Sequence, residues 1–136
     1  MAEKKAAKVA RGRGNMAKLI IPGRAATKKN SSRIVRFGKK TAILPSEAFE
    51  NYQESALWHL KKYKHRYACQ VHVCCLYWLP DKRWWPDLIG LLQATSDILE
   101  KSGILENDRL IVDYDGSRIM GLDKQNPRVE IEISEV

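Results

Sequence analysis

Apolar residues recur at helical spacing in two stretches of the chain, and each stretch predicts an amphipathic helix. Ser46 can cap the first helix, which runs to about Lys64. Its buried face is formed by Phe49, Tyr52, Ala56, Leu60 and Tyr63. The second helix starts at Asp87 and stops at Ser102, where Gly103 provides a left-handed cap. Its buried face is formed by Leu88, Leu91, Leu92, Thr95 and Leu99.

Shorter apolar segments around these helices predict β-strands. They are Lys18–Pro22, Arg33–Phe37, Thr41–Leu44, Tyr67–Leu79, Arg109–Tyr114 and Arg128–Ser134. The second half of Tyr67–Leu79 is apolar on both faces, which is typical of a central strand. Gly38 joins two strands in a hairpin, and Asp115 and Gly116 form a turn. The order β-(ββ)-α-β-α-β-β predicts an α+β fold, a small mixed β-sheet packed with two main helices.

The positive charge of the chain is concentrated at its N-terminal end. The net charge is +8, and residues 1–40 alone hold 13 Lys and Arg against one Glu. Blocks of like charge are usually disordered and often contact nucleic acid, although a solubilising tail has the same composition. We predict a disordered basic tail at residues 1–15 and a single folded domain at residues 16–136. A protein that binds RNA or the ribosome is a further interpretation, which only this tail supports.

The three cysteines and the absence of long apolar runs indicate a cytoplasmic protein. Cys69, Cys74 and Cys75 are odd in number, and adjacent cysteines point to opposite faces of a strand. A disulfide framework is therefore not expected, and core packing is favoured over a metal role. No apolar run approaches the ~20 residues that a membrane span needs.

Two aspartates flank the second helix and suggest chemistry. Asp87 stands at its start and Asp108 in the turn that follows it, so both are acidic sites in a basic protein. Metal-dependent nucleases need this combination, because carboxylates hold hard cations and basic residues hold phosphates. The alternative is that Asp87 is only a helix cap and Asp108 only a turn residue. Gly90 indicates either close approach of another backbone or of DNA, or a weak helix start.

Several motifs stand in a fixed order along the chain. Pro-Asp-Leu at 86–88 is followed by Asp97, Lys101 and Gly103 and then by Glu-Asn-Asp-Arg at 106–109. Val-Asp-Tyr at 112–114, the ending Val-Glu-Ile-Glu-Ile at 129–133 and the basic loop Thr-Lys-Lys-Asn-Ser at 27–31 accompany them. On these motifs, the sequence from Leu19 to Ser134 resembles the RusA-type Holliday junction endonucleases, which are common in prophages.

The resemblance implies a homodimeric endonuclease that nicks opposite strands of a four-way DNA junction in recombination and repair. It implies Mg²⁺ as the cofactor, with Mn²⁺ able to substitute, and Asp87 and Asp108 as catalytic residues and metal ligands. A two-fold dimer would present two equivalent sites to two equivalent strands. We expect contacts to the DNA from cationic and polar loop residues. They are Lys28, Lys29, Asn30, Lys82 and Arg83.

The chain departs from the family pattern at the start of the second helix. The family typically has Asp-x-Asp-Asn there and a lysine one turn further on, but this chain has Ile89, Gly90 and Gln93 at the last three of these positions. Isoleucine cannot bind magnesium, which takes oxygen ligands. Either Asp87 and Asp108 suffice, helped by Asp81, or the protein binds junctions without cutting them. Asp97 is a poor substitute, because ten residues of helix separate it from Asp87 by about 15 Å.

Two adjacent tryptophans precede this helix. Trp84 and Trp85 can stack on unpaired bases of a junction, or they can cover the core beside Trp58 and Trp78. Core packing is the preferred interpretation.

Overall fold

The elements of the fold follow the predicted order. The computed structural model describes residues 16–28, 32–45 and 47–136, so the predicted tail at 1–15 and the Ser46 cap lie outside it. The strands are β1 Met16–Pro22, β2 Ser32–Phe37, β3 Lys40–Pro45, β4 Val71–Leu79, β5 Ile111–Asp113, β6 Arg118–Leu122 and β7 Arg128–Glu135. The helices are α1 Glu47–Leu60 and α2 Leu88–Ser102, and a single 3₁₀ turn covers Asp108–Leu110. The predicted α+β class is confirmed.

The main sheet is mixed, and β4 lies at its centre as predicted. The strand path is β1-β7-β4-β5, with β6 also pairing with β4. Strand β4 runs antiparallel to β7 and parallel to β5 and β6. The hairpin β2-β3 forms a separate two-stranded sheet, with Gly38 at φ 64° in its turn. Apolar residues on both faces of β4 suit a strand with neighbours on every side.

The predicted boundaries are wrong at the start of β4. This strand begins at Val71, whereas Tyr67 makes only an isolated bridge with Leu105. The Tyr67 N–H donates to Ile104 O at 2.7 Å, and the Glu106 N–H donates to Tyr67 O at 2.9 Å. Tyr67 is therefore paired with the segment that follows α2, and it cannot extend the main ladder at the same time.

Other elements also differ from the prediction. Helix α1 ends at Leu60, four residues before Lys64, because the chain tightens into a turn in which the Tyr63 N–H donates to Leu60 O. The predicted strand from Arg109 begins later, at Ile111, since the residues from Asp108 wind into the 3₁₀ turn. Strand β6 was not predicted, and its residues alternate only between half-buried and exposed.

The core lies between one face of the sheet and the two helices. Val71, Val73, Cys75 and Tyr77 alternate inward along β4, and all four are buried. The buried faces of α1 and α2 cover them, largely as the helical spacing predicted. Burial raises the pKa of Cys75 to about 12, which keeps this thiol protonated and apolar in character. All three cysteines are free, so the prediction of no disulfide is confirmed.

Two buried tyrosines use their hydroxyl groups differently. The Tyr77 hydroxyl donates to Leu91 O at 3.1 Å and lies 2.7 Å from Thr95 Oγ1, so it ties β4 to α2. The Tyr52 hydroxyl on α1 has no hydrogen-bond partner among residues 16–28, 32–45 and 47–136. A buried polar atom without a partner costs about 1–3 kcal/mol, whereas a buried hydrogen bond contributes about 1 kcal/mol.

No helix in the described part of the chain is long and apolar enough to span a membrane.

Removing the hydroxyl of Tyr77 should lower the stability of the protein, whereas removing that of Tyr52 should not. Tyr77→Phe should lower the free energy of unfolding by about 1 kcal/mol, because it breaks the hydrogen bonds to α2. Tyr52→Phe should leave that free energy unchanged or raise it, because it removes only an unpaired polar atom. Urea unfolding followed by circular dichroism measures both. Equal destabilisation by the two substitutions would contradict the assignment.

Candidate active site

A cleft runs along one face of the start of α2. It has a volume of about 430 Å³ and is bounded on the other side by the segment that returns after the helix. Its lining residues are Ile89, Leu92, Gln93, Ser96, Asp108 and Tyr114. Ile89, Leu92, Gln93 and Ser96 follow the spacing of three or four residues that places side chains on one face of α2. The cleft brings Asp108 together with Ile89 and Gln93, the two positions at which the family pattern has an aspartate and a lysine.

The turn after α2 carries Asp108 to the cleft. Gly103, at φ 87°, ends the helix in the left-handed conformation, as predicted. Asn107 then caps the 3₁₀ turn, with its side-chain oxygen accepting from the Arg109 N–H at 2.8 Å. The Asp108 N–H donates to Glu100 Oε1 of α2 at 2.8 Å. The Asp108 carboxylate itself is exposed and makes no hydrogen bond or ion pair with another described residue.

Asp87 caps the N-terminus of α2. Its Oδ2 accepts a hydrogen bond from the Gly90 N–H at 3.1 Å, and its backbone is extended, as a cap requires. Its other carboxylate oxygen, Oδ1, is outside this hydrogen bond. Asp87 lies at the end of the helix and is not part of the cleft lining. Capping and metal binding are compatible, because they use different oxygens of one carboxylate.

Close packing around the cap surrounds Gly90. A Cβ atom at position 90 would lie 2.9 Å from Asp87 Oδ1 and 3.2 Å from Thr27 Cγ2. Thr27 is buried and belongs to the loop after β1, so this contact brings the loop against the start of α2. The close approach expected at this glycine is thus made by two side chains of the protein.

Asp81 binds two arginines and does not line the cleft. Arg24 binds it through both guanidinium nitrogens, at 3.2 Å to Oδ1 and 2.6 Å to Oδ2. Arg83 adds its Nη2 at 3.2 Å and its backbone N–H at 2.9 Å. These hydrogen bonds, with those from Arg24 the largest cause, hold the pKa of the Asp81 carboxyl well below its usual range. Both oxygens bind arginines, so Asp81 orders these loops, and it does not line the cleft.

Lys28, Lys82 and Arg83, the predicted DNA-contacting residues that the structure describes, lie on loops beside α2. Lys28 forms an ion pair with Asp97 Oδ2 at 3.1 Å, which attaches its loop to the middle of α2. Arg83 is paired with Asp81, and Lys82 beside it is exposed. Lys29 and Asn30 lie outside the described residues. The ion pair also gives Asp97 a partner away from the cleft lining.

The preferred packing of Trp84 and Trp85 over the core is wrong. Both side chains are exposed, as is Trp58 on α1, whereas Trp78 stacks under Arg128 with its guanidinium 4.0 Å from the ring centroid. The next residue, Pro86, is buried and closes the core at this point.

Sequence reasoning missed two groups of contacts. Ser96 Oγ donates to Leu92 O at 2.7 Å and lies 2.7 Å from the Tyr114 hydroxyl, which fixes the far wall of the cleft. The helical spacing from Gln93 to Ser96 indicates a shared face, but nothing in the sequence indicates the partner.

His72 is also paired in a way the sequence did not reveal. Its Nδ1 lies 2.7 Å from Asp113 Oδ2, and this hydrogen bond is the main cause that lowers the pKa of Asp113. The pair joins β4 to β5 beside a second cavity of about 330 Å³, which is lined also by Cys74, Asp115 and Glu132.

Few side chains that can bind a metal ion lie together in the structure. Within residues 16–28, 32–45 and 47–136, no group of three or more His, Cys, Asp or Glu side chains is arranged to hold a metal. Magnesium, however, is usually bound by one or two carboxylates together with waters and substrate phosphates. The Asp108 carboxylate, which is unpaired among the described residues, fits that lower requirement, whereas Asp87 lies outside the cleft lining.

A comparison with protein-family models identifies one family. The model described as Endodeoxyribonuclease RusA matches residues 22–134, nearly the whole chain. A comparison with curated proteins gives no match.

The hydrogen bonds of Asp81 to Arg24 and Arg83 should make the stability of the protein depend on pH. The pKa of the Asp81 carboxyl is lower in the folded state than in the unfolded state. Its stabilising effect is therefore complete above the unfolded-state pKa of about 3.9, and it is lost as the pH falls from there towards the folded-state pKa. Asp81→Asn should therefore lower the melting temperature at pH 7, and the gap to wild type should narrow below about pH 4. Thermal melts from pH 7 to pH 3 measure this gap, with Asp115→Asn as an exposed control. A difference in melting temperature that stays constant to pH 3 would contradict the stabilising role of the bonds between Asp81 and the two arginines.

Proposed function

The chain belongs to the RusA endodeoxyribonuclease family, and on that premise we propose that it is a metal-dependent endonuclease that cleaves four-way DNA junctions in recombination and repair. The observation that carries this proposal is the Asp108 carboxylate in the cleft beside α2, which no other described residue binds. We also propose that the protein originates from a phage or prophage and acts in the cytoplasm.

The carboxylates of Asp108 and Asp87 would hold the metal ion, with Mg²⁺ as the proposed ion and Mn²⁺ as a substitute. When bound, such an ion neutralises charge on the phosphate and makes a water molecule more acidic. The chain supplies the positions of both carboxylates. Asp87 is fixed by its bond to the Gly90 N–H, and Asp108 by the bond from its own N–H to Glu100.

The loops beside the cleft would hold the DNA backbone. Lys28 lies on the loop after β1, which its ion pair with Asp97 attaches to α2. Lys82 and Arg83 lie on the loop before α2. The ion pairs of Asp81 with Arg24 and Arg83 join that loop to the loop after β1. Such contacts position a duplex without reading its sequence. Lys29 and Asn30 complete the proposed set. In the cleft, the exposed amide of Gln93 can donate a hydrogen bond to a phosphate oxygen but carries no charge.

Cleavage of a synthetic four-way junction under single-turnover conditions tests the proposal. Asp108→Asn should slow cutting more than about a hundredfold, because metal stabilisation of the transition state amounts to several kcal/mol. Asp87→Asn should also slow cutting while preserving the helix cap, since asparagine caps as well as aspartate. Chelation of divalent metal should abolish cutting. Asp115→Asn, outside the cleft lining, is the matched control. Undiminished cutting by both variants would overturn the assignment.

A second candidate function is junction binding without cleavage. It is favoured by Ile89, which is 77% exposed in the cleft and offers no oxygen to a metal. The same assay decides between the two, because tight binding with no nicking in magnesium or manganese would support the second. In that case Ile89→Asp together with Gln93→Lys should create cutting activity. Ile89→Asn with Gln93→Lys is the control that restores polarity without the carboxylate.

We also propose that the protein acts as a homodimer through the face of the main sheet opposite α1 and α2. On this face Ile20 and Leu76 surround a cavity of about 220 Å³ together with Lys18, Glu130 and Glu132. Lys18 lies 3.8 Å from Glu132 in the same chain, and a two-fold copy can place this lysine opposite a further glutamate such as Glu130. Two copies would give a junction two cutting sites.

Light scattering at tens of micromolar protein tests the dimer. Ile20→Lys should shift the protein to the monomer mass, because it puts a charge into the apolar centre of the proposed interface. Val112→Lys is the matched control, since Val112 on β5 is exposed to almost the same extent, 46% against 48%. A monomeric wild type, or a dimer that Ile20→Lys leaves intact, would contradict the proposal.

A further inference from the structure

The loop between β4 and α2 exposes a large aromatic surface. Trp84 is 85% exposed and Trp85 is 50% exposed, while the residue that follows them, Pro86, is buried. An indole ring this exposed gains nothing from the hydrophobic core. Exposed aromatic groups of this size commonly mark a surface that binds a partner.

The backbone at Trp84 is unfavourable for the residue it carries. Its φ of 54° makes it the one non-glycine residue with positive φ in the part of the chain that the structure describes. Bulky side chains seldom adopt this conformation, which glycine and asparagine tolerate. The conformation is held from both ends, by the bonds of Asp81 to Arg24 and Arg83 before it and by buried Pro86 after it. Neither core packing nor backbone preference therefore accounts for a tryptophan here.

The surroundings of the ring favour nucleic acid as the partner. Lys82 and Arg83 directly precede Trp84, and Arg24 is bound to the same loop through Asp81. With Asp81 neutralised by its arginines, the loop presents positive charge around an aromatic face. The combination of a basic groove with stacking aromatics is how proteins bind unpaired strands. Five residues further on, exposed Ile89 lines the cleft that holds Asp108.

We propose that Trp84 stacks on an unpaired or unstacked nucleobase at the branch point of the DNA, and so positions the strand for the cleft. This inference rests on the proposed function, since it assigns a recognition element to the same site. Bases in a continuous duplex are stacked on their neighbours and offer no free face, whereas a branch point can expose one. Trp84 thereby favours branched over linear DNA.

Binding in metal-free buffer tests the proposal without any cleavage. Fluorescence anisotropy compares a linear duplex, the same duplex with a two-base bulge, and a four-way junction. Trp84→Ala should weaken binding to the bulged duplex and the junction about ten- to a hundredfold, the range for losing one stacked base. Binding to the linear duplex should change less than about twofold, since phosphate contacts dominate it. Trp84→Phe should retain most of the affinity.

Two further variants separate stacking from a structural role. Trp58→Ala removes another exposed tryptophan, 67% exposed on α1, and should leave all three affinities unchanged. Trp84→Gly should not lower the melting temperature, because glycine accepts the positive φ, yet it should weaken junction binding as much as Trp84→Ala does. In wild type, 2-aminopurine placed in the bulge should lose fluorescence on binding, and in Trp84→Ala it should not.

The outcomes for stacking and for nuclease activity are distinguishable. If wild type cuts junctions but Trp84→Ala binds all three DNAs as wild type does, stacking is overturned and the nuclease proposal stands. If no DNA is cut but the bulge preference depends on Trp84, stacking stands and cleavage fails. Equal losses on linear and branched DNA, or no binding of wild type to any of the three, would overturn the stacking proposal.

Discussion

A side chain at position 90 would press against the cap of α2 and against Thr27, and the arrangement of the site depends on this close packing. Because Gly90 lacks a Cβ atom, the Asp87 carboxylate can close over the helix end while Thr27 packs beside it. One point of close packing thus joins the capped helix to the loop after β1. The ion pair of Lys28 with Asp97 extends the same attachment along α2. One side of the cleft helix is therefore attached to the basic loop after β1.

Contacts between near neighbours were predictable from the sequence, and contacts across the chain were not. The alternation of β7, the caps at Asp87 and Gly103 and the central place of β4 follow from local periodicity and hydrogen bonding. Strand β6 escaped prediction because its edge position leaves no fully buried residue to reveal a pattern. Asp81 and Arg24 are 57 positions apart, so no spacing rule could have linked them. For the same reason Asp108 was predicted as a site residue, but its neighbours Ser96 and Tyr114 were not.

The composition of the cleft lowers its attraction for a cation. Ile89 and Gln93 stand at positions where the family pattern has one negative and one positive charge, so Asp108 is left as the acidic lining residue. The missing carboxylate lowers the repulsion of a phosphate backbone, but the missing lysine lowers the attraction of that backbone, so the two changes offset each other for DNA. A metal ion at this site would depend on waters and substrate phosphates to complete its coordination.

The pairing of Tyr67 with the segment after α2 also governs how the site moves. Ile104 and Glu106 exchange backbone hydrogen bonds with Tyr67, whose side chain is fully buried in the core. The turn that carries Asp108 is therefore anchored to an interior residue from a distant part of the chain. Surface loops usually fray independently of the domain, but this one can detach only when the interior opens. Its amide protons around Leu105 should exchange with solvent on the timescale of global unfolding, as those of the central strand do.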